Sequence, residues 1–225
     1  MDKADPVLGE KVRQHLIRVG LETPMNYEQV KVKDERKIKN IAKHFTAIME
    51  ELGLDLTDDS LIDTPNRVAK MYTREIFYGL NYDKFPKCTR IENKMGQNSS
   101  FVLERNINVQ SNCEHHFVVI DGKATVAYIP RKTILGLSKL NRIVEFFAKR
   151  PQVQERLTEQ IAETISFITG SPDVAVYLVG THYCVKSRGI QDTGSSTMTL
   201  ATRGAFATET SDIRREFLNT ARMAG

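Results

Sequence analysis

The sequence is poor in cysteine, histidine and long apolar runs, and it contains no tryptophan. Its 3 cysteines are an odd number, which does not fit a disulfide framework and predicts a reduced, cytoplasmic protein. No apolar run approaches the about 18–20 residues that a membrane-spanning helix needs, so we expect no membrane partner. The polar first residues lead into no signal-like apolar segment.

An excess of one charge sign is also absent. The 32 Lys and Arg residues against 28 Asp and Glu residues leave a net charge of +4. A general nucleic-acid binder would carry a denser basic stripe, so we expect no nucleic-acid partner. At 225 residues and 40% hydrophobic composition, the chain is long enough to bury one sizeable core.

The spacing of apolar residues predicts helices in the first part of the chain. One helix is expected from Asp34, as its N-cap, to Gly53, as its C-terminal stop. Its apolar residues step by three and four along the chain: Ile38, Ile41, Phe45, Ile48 and Leu52. Another helix is expected after Thr64 as a cap, with Pro65 in its first turn.

A polar loop at residues 82–100 divides the chain into two predicted regions. Residues 1–95 are expected to form an N-terminal helical region. Residues 96–225 are expected to hold most of the strands and to act as one functional unit.

Strands in the second region are predicted to pair antiparallel. Asp121 and Gly122 form a favoured two-residue turn, which predicts a hairpin of residues 117–120 with residues 123–129. A later apolar, β-branched run at residues 174–185 predicts another strand.

Two helices are predicted between these strands. Ser138 can cap the first, and Pro151 can begin the second, which ends at Gly170. No regular alternation of strand, helix and parallel strand occurs along the chain. The expected class is therefore α+β with an antiparallel sheet.

Metal-binding side chains are concentrated in two short stretches. Cys113, His115 and His116 lie together, and His182 and Cys184 lie in the predicted strand at residues 174–185. Residues two apart on a strand share a face, and thiolate and imidazole are the preferred ligands of zinc. The simplest interpretation is that Cys113, His116 and Cys184 hold one zinc, with His115 and His182 beside it.

The spacing alone leaves two kinds of zinc site open, with catalysis favoured. A structural site is closed by four protein ligands, whereas a catalytic site keeps one position for water. His182 is the more credible fourth ligand, because the neighbouring side chains of His115 and His116 diverge. His182 can also be an ordinary half-buried strand histidine.

Basic residues near these stretches suggest an anionic substrate. Lys139 and Arg142 lie one helical turn apart at a predicted helix start, and Arg188 follows the second metal-binding stretch. Each of these cations alone could be an ordinary solvated side chain, as could Glu155 and Arg67 in the first turns of their helices. Together, three cations around a zinc site point to a phosphorylated substrate.

Several multi-residue motifs resemble the zinc-dependent GTP cyclohydrolase I family, and they follow that family's order. The resemblance extends from about residue 52 to the last helix. The matching motifs are residues 64–72, 113–116, 136–142, 150–156 and 182–189. At residues 189–198 the family is richer in threonine and alanine than this sequence, and the segment before Asp34 is variable.

The resemblance implies a reaction and an architecture. The family converts GTP and water to formate and 7,8-dihydroneopterin triphosphate, the first step of folate and pterin synthesis. Its fold is the tunnelling fold, an antiparallel sheet with a helix pair on one side. Five sheets join into a barrel, and two pentameric rings form a homodecamer with one zinc per subunit and active sites between subunits.

The resemblance also implies roles for individual residues. The zinc ligands would be Cys113, His116 and Cys184, and the residues that handle protons would be His115 and His182. The guanine would be bound by Glu155, with Gln154 and Val153 beside it. The triphosphate would be held by Ser138, Lys139, Arg142 and Arg188, with Arg67 reaching in from a neighbouring subunit.

Two other functions compete with this one. A non-catalytic, zinc-stabilised oligomerisation module would have four protein ligands and no affinity for GTP. A related tunnelling-fold enzyme would act on a different purine or pterin. The nitrile-reducing members of that group lack the zinc triad and need a nucleophilic cysteine, for which Cys88 is poorly placed.

Overall fold

A computed structural model describes residues 4–95 and 100–223 of the chain. Residues 96–99, where the two predicted regions join, lie outside the described residues. The helices are α1 (Pro6–Arg18), α2 (Tyr27–Val30), α3 (Asp34–Glu51), α4 (Thr64–Met71), α5 (Leu137–Ala148), α6 (Gln154–Thr169), α7 (Tyr183–Lys186) and α8 (Asp212–Arg222). The strands are β1 (Arg90–Glu92), β2 (Val102–Cys113), β3 (Val119–Tyr128), β4 (Thr133–Leu135), β5 (Pro151–Gln152), β6 (Val174–His182) and β7 (Thr197–Thr202).

The main sheet has five strands in the order β5-β2-β3-β6-β7. All neighbours pair antiparallel except β5, which runs parallel to β2. Helices α5 and α6 cover one face, and their apolar side chains form the main core with the sheet. Helix α8 packs on the other face through Phe217, beside Phe206 and Ala127. The predicted α+β class is confirmed, with a helix pair on one side of a sheet that is antiparallel except at β5.

The N-terminal helices differ in how they meet this core. Val12 and Leu16 of α1 are fully buried and belong to the main core. In α3, by contrast, the predicted apolar face is only partly covered, since Ile48 is 51% exposed and Leu52 is 72% exposed. The cause is that α3 packs against α4 and the π-helical turn after it rather than against the sheet. Its apolar side lines an open groove of about 570 Å³.

Two predicted helix caps are wrong by one residue. Asp34 is the first residue of α3, and Lys33 precedes it without a side-chain cap. Thr64 is the first residue of α4, and Asp63 takes the position before it. Pro65 does lie in the first turn, where it removes a backbone N–H that would have had no helical partner.

The predicted hairpin turn at Asp121 and Gly122 is wrong. Strand β3 runs without interruption from Val119 to Tyr128, and Gly122 pairs with strands on both sides. The glycine is needed for another reason, because a Cβ there would lie 2.3 Å from the carbonyl oxygen of Val179. The turn between β2 and β3 is instead formed by residues 114–117.

Three further boundaries differ from the prediction. Strand β6 ends at His182, and the chain turns into α7 before it reaches Cys184. Helix α5 follows Gly136 as its N-cap, so Ser138 is already inside the helix. Pro151 does not begin a helix, because it and Gln152 pair with the end of β2 before α6 begins.

A buried arginine connects the N-terminal helices to the rest of the chain. Arg150 is fully buried, and its guanidinium donates to Glu22, Thr23 and the carbonyl of Gly79. A buried cation is costly without such partners, so these contacts hold the segments around residues 22 and 79 in place. Within residues 4–95 and 100–223, no helix has the length and hydropathy to cross a membrane.

Candidate metal centre

The tight turn between β2 and β3 carries the first group of metal-binding side chains. Cys113 is the last residue of β2; its N–H donates to the carbonyl of Val118, and its carbonyl accepts from the N–H of Phe117, both at 2.8 Å. Phe117 has a φ of +55°, which lets the chain reverse within so few residues. The N–H of Glu114 donates to the carbonyl of Gln152 in β5 at 3.0 Å. The turn is therefore fixed by both neighbouring strands.

A salt bridge holds the same turn from the side of α6. Arg156 donates to both carboxylate oxygens of Glu114, at 2.6 and 3.3 Å. The hydrogen bond from Arg156 lowers the pKa of the Glu114 carboxyl, so the pair is ionised at neutral pH. Sequence spacing gave no signal for this contact, because the two residues come from separate motifs.

Three side chains converge where this turn meets the end of β6. Ligand atoms of Cys113, His116 and Cys184 all lie within 4.8 Å of one another. Among the described residues, no other cluster of three or more such side chains has this geometry. Two thiols and an imidazole are a donor set suited to zinc, and three protein ligands leave a fourth position open. The side chains present therefore fit a catalytic type of zinc site.

The position of Cys184 differs from the one that the strand pattern predicts. It lies in α7, the single helical turn that follows β6, and not on the same strand face as His182. Burial raises the pKa of the Cys184 thiol, and its hydrogen bond with Cys113 raises it further. Neighbouring thiolates are favoured only beside a cation, as metal coordination provides.

His115 lies at the exposed edge of the turn. Its Nδ1 is 3.7 Å from Sγ of Cys113, and its ring is 6.3 Å from that of His116 at an angle of 76°. The two adjacent imidazoles diverge as expected, so His115 stays outside the group of three ligands. Its side chain is 64% exposed, which leaves it accessible to a bound substrate.

His182 is half-buried at the end of β6 and is also outside the group of three. Its Nε2 is 2.8 Å from Oε1 of Gln154, so one ring nitrogen already has a partner. Burial lowers the pKa of His182, and the nearby carboxylate of Glu155 opposes that shift. The geometry does not favour His182 as a fourth zinc ligand.

The three residues expected around the guanine have different surroundings. Glu155 is exposed in the first turn of α6, close enough to His182 to act on its charge. Val153 is the residue before the helix and has extended backbone. Gln154, however, is only 1% exposed, and its side chain points into the protein.

Only one of the predicted phosphate-binding residues contacts the metal-binding group. Nη1 of Arg188 lies 2.8 Å from Nε2 of His116. Three of the others lie near the start of α5: Ser138 is exposed, Arg142 is half-buried and Lys139 is buried.

The start of α5 and the metal-binding group lie at opposite ends of the sheet. Leu135, just before α5, donates from its N–H to Oη of Tyr128 at the end of β3. Ile120, at the other end of β3, pairs with His182. Residues 120 to 128 of a strand span about 26 Å at a rise of roughly 3.3 Å per residue. One chain therefore does not bring the metal-binding group and the start of α5 together.

Arg67 is the predicted phosphate-binding residue of the N-terminal region. It lies on α4 with a side chain that is 72% exposed, and its ion pair is with Asp63 of the same helix at 3.8 Å. A contact of this kind between exposed groups contributes little to stability. The residue is thus available to another molecule.

Comparison with known proteins gives consistent matches over most of the chain. The family model described as GTP cyclohydrolase I matches residues 41–222. A protein of Tolumonas auensis named GTP cyclohydrolase 1 is 54% identical over 210 residues, which cover 93% of this chain and 95% of the relative. Relatives of the same name from Haemophilus influenzae (strain PittEE) and Klebsiella pneumoniae (strain ATCC 700721) are 54% and 52% identical, covering 93% and 94% of this chain and 94% of each relative.

Proposed function

Because this chain belongs to the GTP cyclohydrolase I family, we propose that Cys113, His116 and Cys184 hold one zinc ion per subunit at the site of GTP hydrolysis. The family match and the relatives of the same name identify the activity of the chain. It opens the imidazole ring of the guanine of GTP at C8, releases formate and forms 7,8-dihydroneopterin triphosphate. The observation that carries the zinc assignment is the convergence of three ligand atoms within 4.8 Å.

The bound zinc would supply a water whose pKa falls from 15.7 to about 7. The imidazoles of His115 and His182 move protons between the enzyme and the guanine, including a proton at N7 that makes C8 electrophilic. Their positions beside the zinc ligands, one exposed and one half-buried, support this role. The Glu155 carboxylate is exposed near His182 and can accept hydrogen bonds from the N–H groups of the guanine, beside the backbone of Val153.

The triphosphate is held by cations from two chains. Arg188 lies next to His116, so it binds phosphate beside the guanine of its own subunit. Ser138, Lys139 and Arg142, at the far end of the sheet, serve the site of a neighbouring subunit, and Arg67 also reaches a neighbour. The separation between α5 and the metal-binding group within one chain supports this division.

The oligomer is a homodecamer of two pentameric rings, in which sheets of the tunnelling fold join edge to edge into a barrel. The strand order supports this arrangement. Strand β7 is an edge of the sheet, and β5 pairs with β2 only at Asn112 and Cys113. Unpaired strand edges are templates for pairing with another chain. The barrel would cover both edges.

Residues 96–225 act as the catalytic region and as one functional unit, with residues 1–95 as the N-terminal helical region. The distribution of the proposed site residues supports this division, since all of them except Arg67 lie in the second region. The enzyme is cytoplasmic, which is supported by three cysteines that are all free.

The reaction is tested by incubating the purified, zinc-loaded protein with GTP. Formate is measured directly, and the oxidised pterin product is measured by its fluorescence. Formation of both products, abolished by a chelator, supports the proposal. A protein that carries one zinc per chain and forms neither product would instead be the structural zinc module.

A further inference from the structure

The side chain of Gln154 points away from solvent and packs against the main sheet. It is 1% exposed, and both the oxygen and the nitrogen of its amide contact other residues. The amide nitrogen lies 2.9 Å from the carbonyl oxygen of Thr197, 3.3 Å from that of Leu178 and 3.1 Å from Oγ1 of Thr199. A side chain with these contacts is not free to bind a guanine ring.

These contacts determine which way the amide faces. A backbone carbonyl can only accept a hydrogen bond, so the group that faces Thr197 and Leu178 must be the NH2 of Gln154. The amide oxygen then faces Nε2 of His182 at 2.8 Å. An amide oxygen can only accept, and therefore Nε2 of His182 must carry the hydrogen.

We infer that Gln154 is a positioning residue that holds the ring of His182 as its Nε2–H tautomer. The inference rests on the proposed role of His182 in GTP hydrolysis. The hydrogen bonds of the two ring nitrogens determine which of them carries the hydrogen in a neutral histidine. Here that bond comes from a buried amide that cannot turn over.

A closed series of hydrogen bonds supports the amide. Gln154 donates to Oγ1 of Thr199, which lies 2.6 Å from Oγ1 of Thr158. Thr158 in turn donates to the backbone carbonyl of Gln154 at 2.8 Å. Because Thr158 uses its hydrogen for that bond, the hydroxyl of Thr199 must donate to Thr158. Every donor in the series therefore faces an acceptor, and the amide orientation is fixed.

The space for this amide depends on a glycine in β6. A Cβ on Gly180 would lie 2.7 Å from Oε1 of Gln154, closer than a carbon and an oxygen can approach without displacement. Gly180 is also two residues from His182 on the same strand. An interior glycine in a strand often marks a close approach of this kind. The strand thus provides the histidine and the room for the group that orients it.

The direct test is the variant Gln154→Leu in the zinc-loaded protein. The chain has only 5 histidines, so ¹⁵N spectra of histidine-labelled protein are simple enough to assign His182 with the help of His182→Ala. In the wild type we expect Nε2 of His182 to be protonated, and in Gln154→Leu we expect a mixture of tautomers. We expect kcat to fall about 10- to 100-fold, the usual effect of removing a residue that orients a functional histidine. KM for GTP and zinc content should stay within about twofold.

Gln160→Leu is the matched control. Gln160 is also a fully buried glutamine of α6, but it donates to Leu21 and Thr23 rather than contacting His182. It should leave kcat and the His182 tautomer unchanged. If Gln154→Leu does not fold, Gly180→Ala displaces the same amide without removing a polar group, and the same changes are expected.

An increase in KM with unchanged kcat and an unchanged tautomer would overturn the inference, because Gln154 would then be a substrate contact. A wild-type His182 with its hydrogen on Nδ1 would overturn it as well. If the wild type released no formate from GTP, the proposed function would fail. The ¹⁵N comparison would still decide whether Gln154 sets the tautomer.

Discussion

Arg188 and His116 are in contact, with Nη1 of the arginine 2.8 Å from Nε2 of the histidine. The other ring nitrogen of His116 lies 4.0 Å from Sγ of Cys113, on the side of the proposed zinc. The imidazole of His116 therefore lies between the thiol of Cys113 and the guanidinium of Arg188. This places an anion-binding group at the edge of the proposed zinc site, as a phosphorylated substrate requires.

Replacing Arg188 should weaken GTP binding without removing zinc. Hydrogen bonds to charged groups contribute about 1.5–3 kcal/mol, so we expect Arg188→Ala to raise KM for GTP at least tenfold. Lys186→Ala is the control, because Lys186 is a nearby cation that lies over the Tyr183 ring instead. Initial-rate kinetics and metal analysis measure both effects. Loss of zinc from Arg188→Ala would contradict this assignment.

Removing His182 should separate catalysis from metal binding. His182 is outside the group of three ligands and bonds to Gln154, so we expect His182→Ala to retain one zinc per chain and lose turnover. His44→Ala, at a histidine on the surface of α3, should change neither quantity. Zinc content and formate release are the measurements. A His182→Ala protein that binds no zinc would make His182 a ligand.

The Glu114–Arg156 pair should affect the affinity for zinc. The pair braces the turn between Cys113 and His116, so we expect Arg156→Ala to weaken zinc binding about tenfold. Arg215→Ala removes a similar but fully surface pair with Asp212 and should have no effect. Zinc affinity is measured by competition with a chelator of known affinity. Equal affinities for wild type and Arg156→Ala would argue against the bracing role.

We expect the ionised Glu10 to stabilise the fold at neutral pH, and we expect this contribution to be lost in acid. Hydrogen bonds from Arg13, Gln14 and Tyr27 lower the pKa of Glu10 to about 2, chiefly through Arg13. A lowered carboxyl pKa stabilises the fold above its unfolded value of about 4.5, and this contribution disappears as pH falls toward 2. The side chain is 45% exposed, so screening limits the effect to less than about 1 kcal/mol.

The free energy of unfolding of wild type and Glu10→Gln, measured in urea at several pH values, tests this dependence. The two proteins should differ at pH 7 and converge as the solution approaches pH 2. A difference of the same size at both ends of the range would show that the loss comes from packing, not from the charge of Glu10.

An active site shared between subunits predicts complementation. Cys184→Ala lacks a zinc ligand and Arg142→Ala lacks a proposed phosphate contact from the neighbouring chain, so each alone should be inactive or nearly so. Mixed oligomers should recover roughly a quarter of wild-type activity, the share of random interfaces that join two intact halves. Mixing without any recovery would place both residues in the same chain's site.

Parts of the site could be predicted because their chemistry is local. The turn residues Cys113 and His116 are close in sequence, and few other thiols and imidazoles compete with them. Cys184 does lie in the group that the structure brings together, but not for the reason that the sequence suggests. It was placed on a strand face, whereas the chain leaves the strand at His182 because α7 begins there.

The remaining features depend on contacts between distant segments. Asp121 and Gly122 have the composition of a turn, but pairing on both sides keeps them inside β3. The orientation of Gln154 depends on the space at Gly180, and nothing in the local sequence of α6 reveals it. The spacing of apolar residues predicts an apolar face on α3, but this spacing does not indicate which element covers that face.

The most direct test of the account is to remove zinc and return it in steps while formate release from GTP is measured. We expect the metal-free protein to be inactive and its activity to rise in proportion to bound zinc, reaching its maximum at one zinc per chain. Cys184→Ala should not recover. Full formate release by metal-free protein, or by Cys184→Ala, would contradict a catalytic zinc held by Cys113, His116 and Cys184.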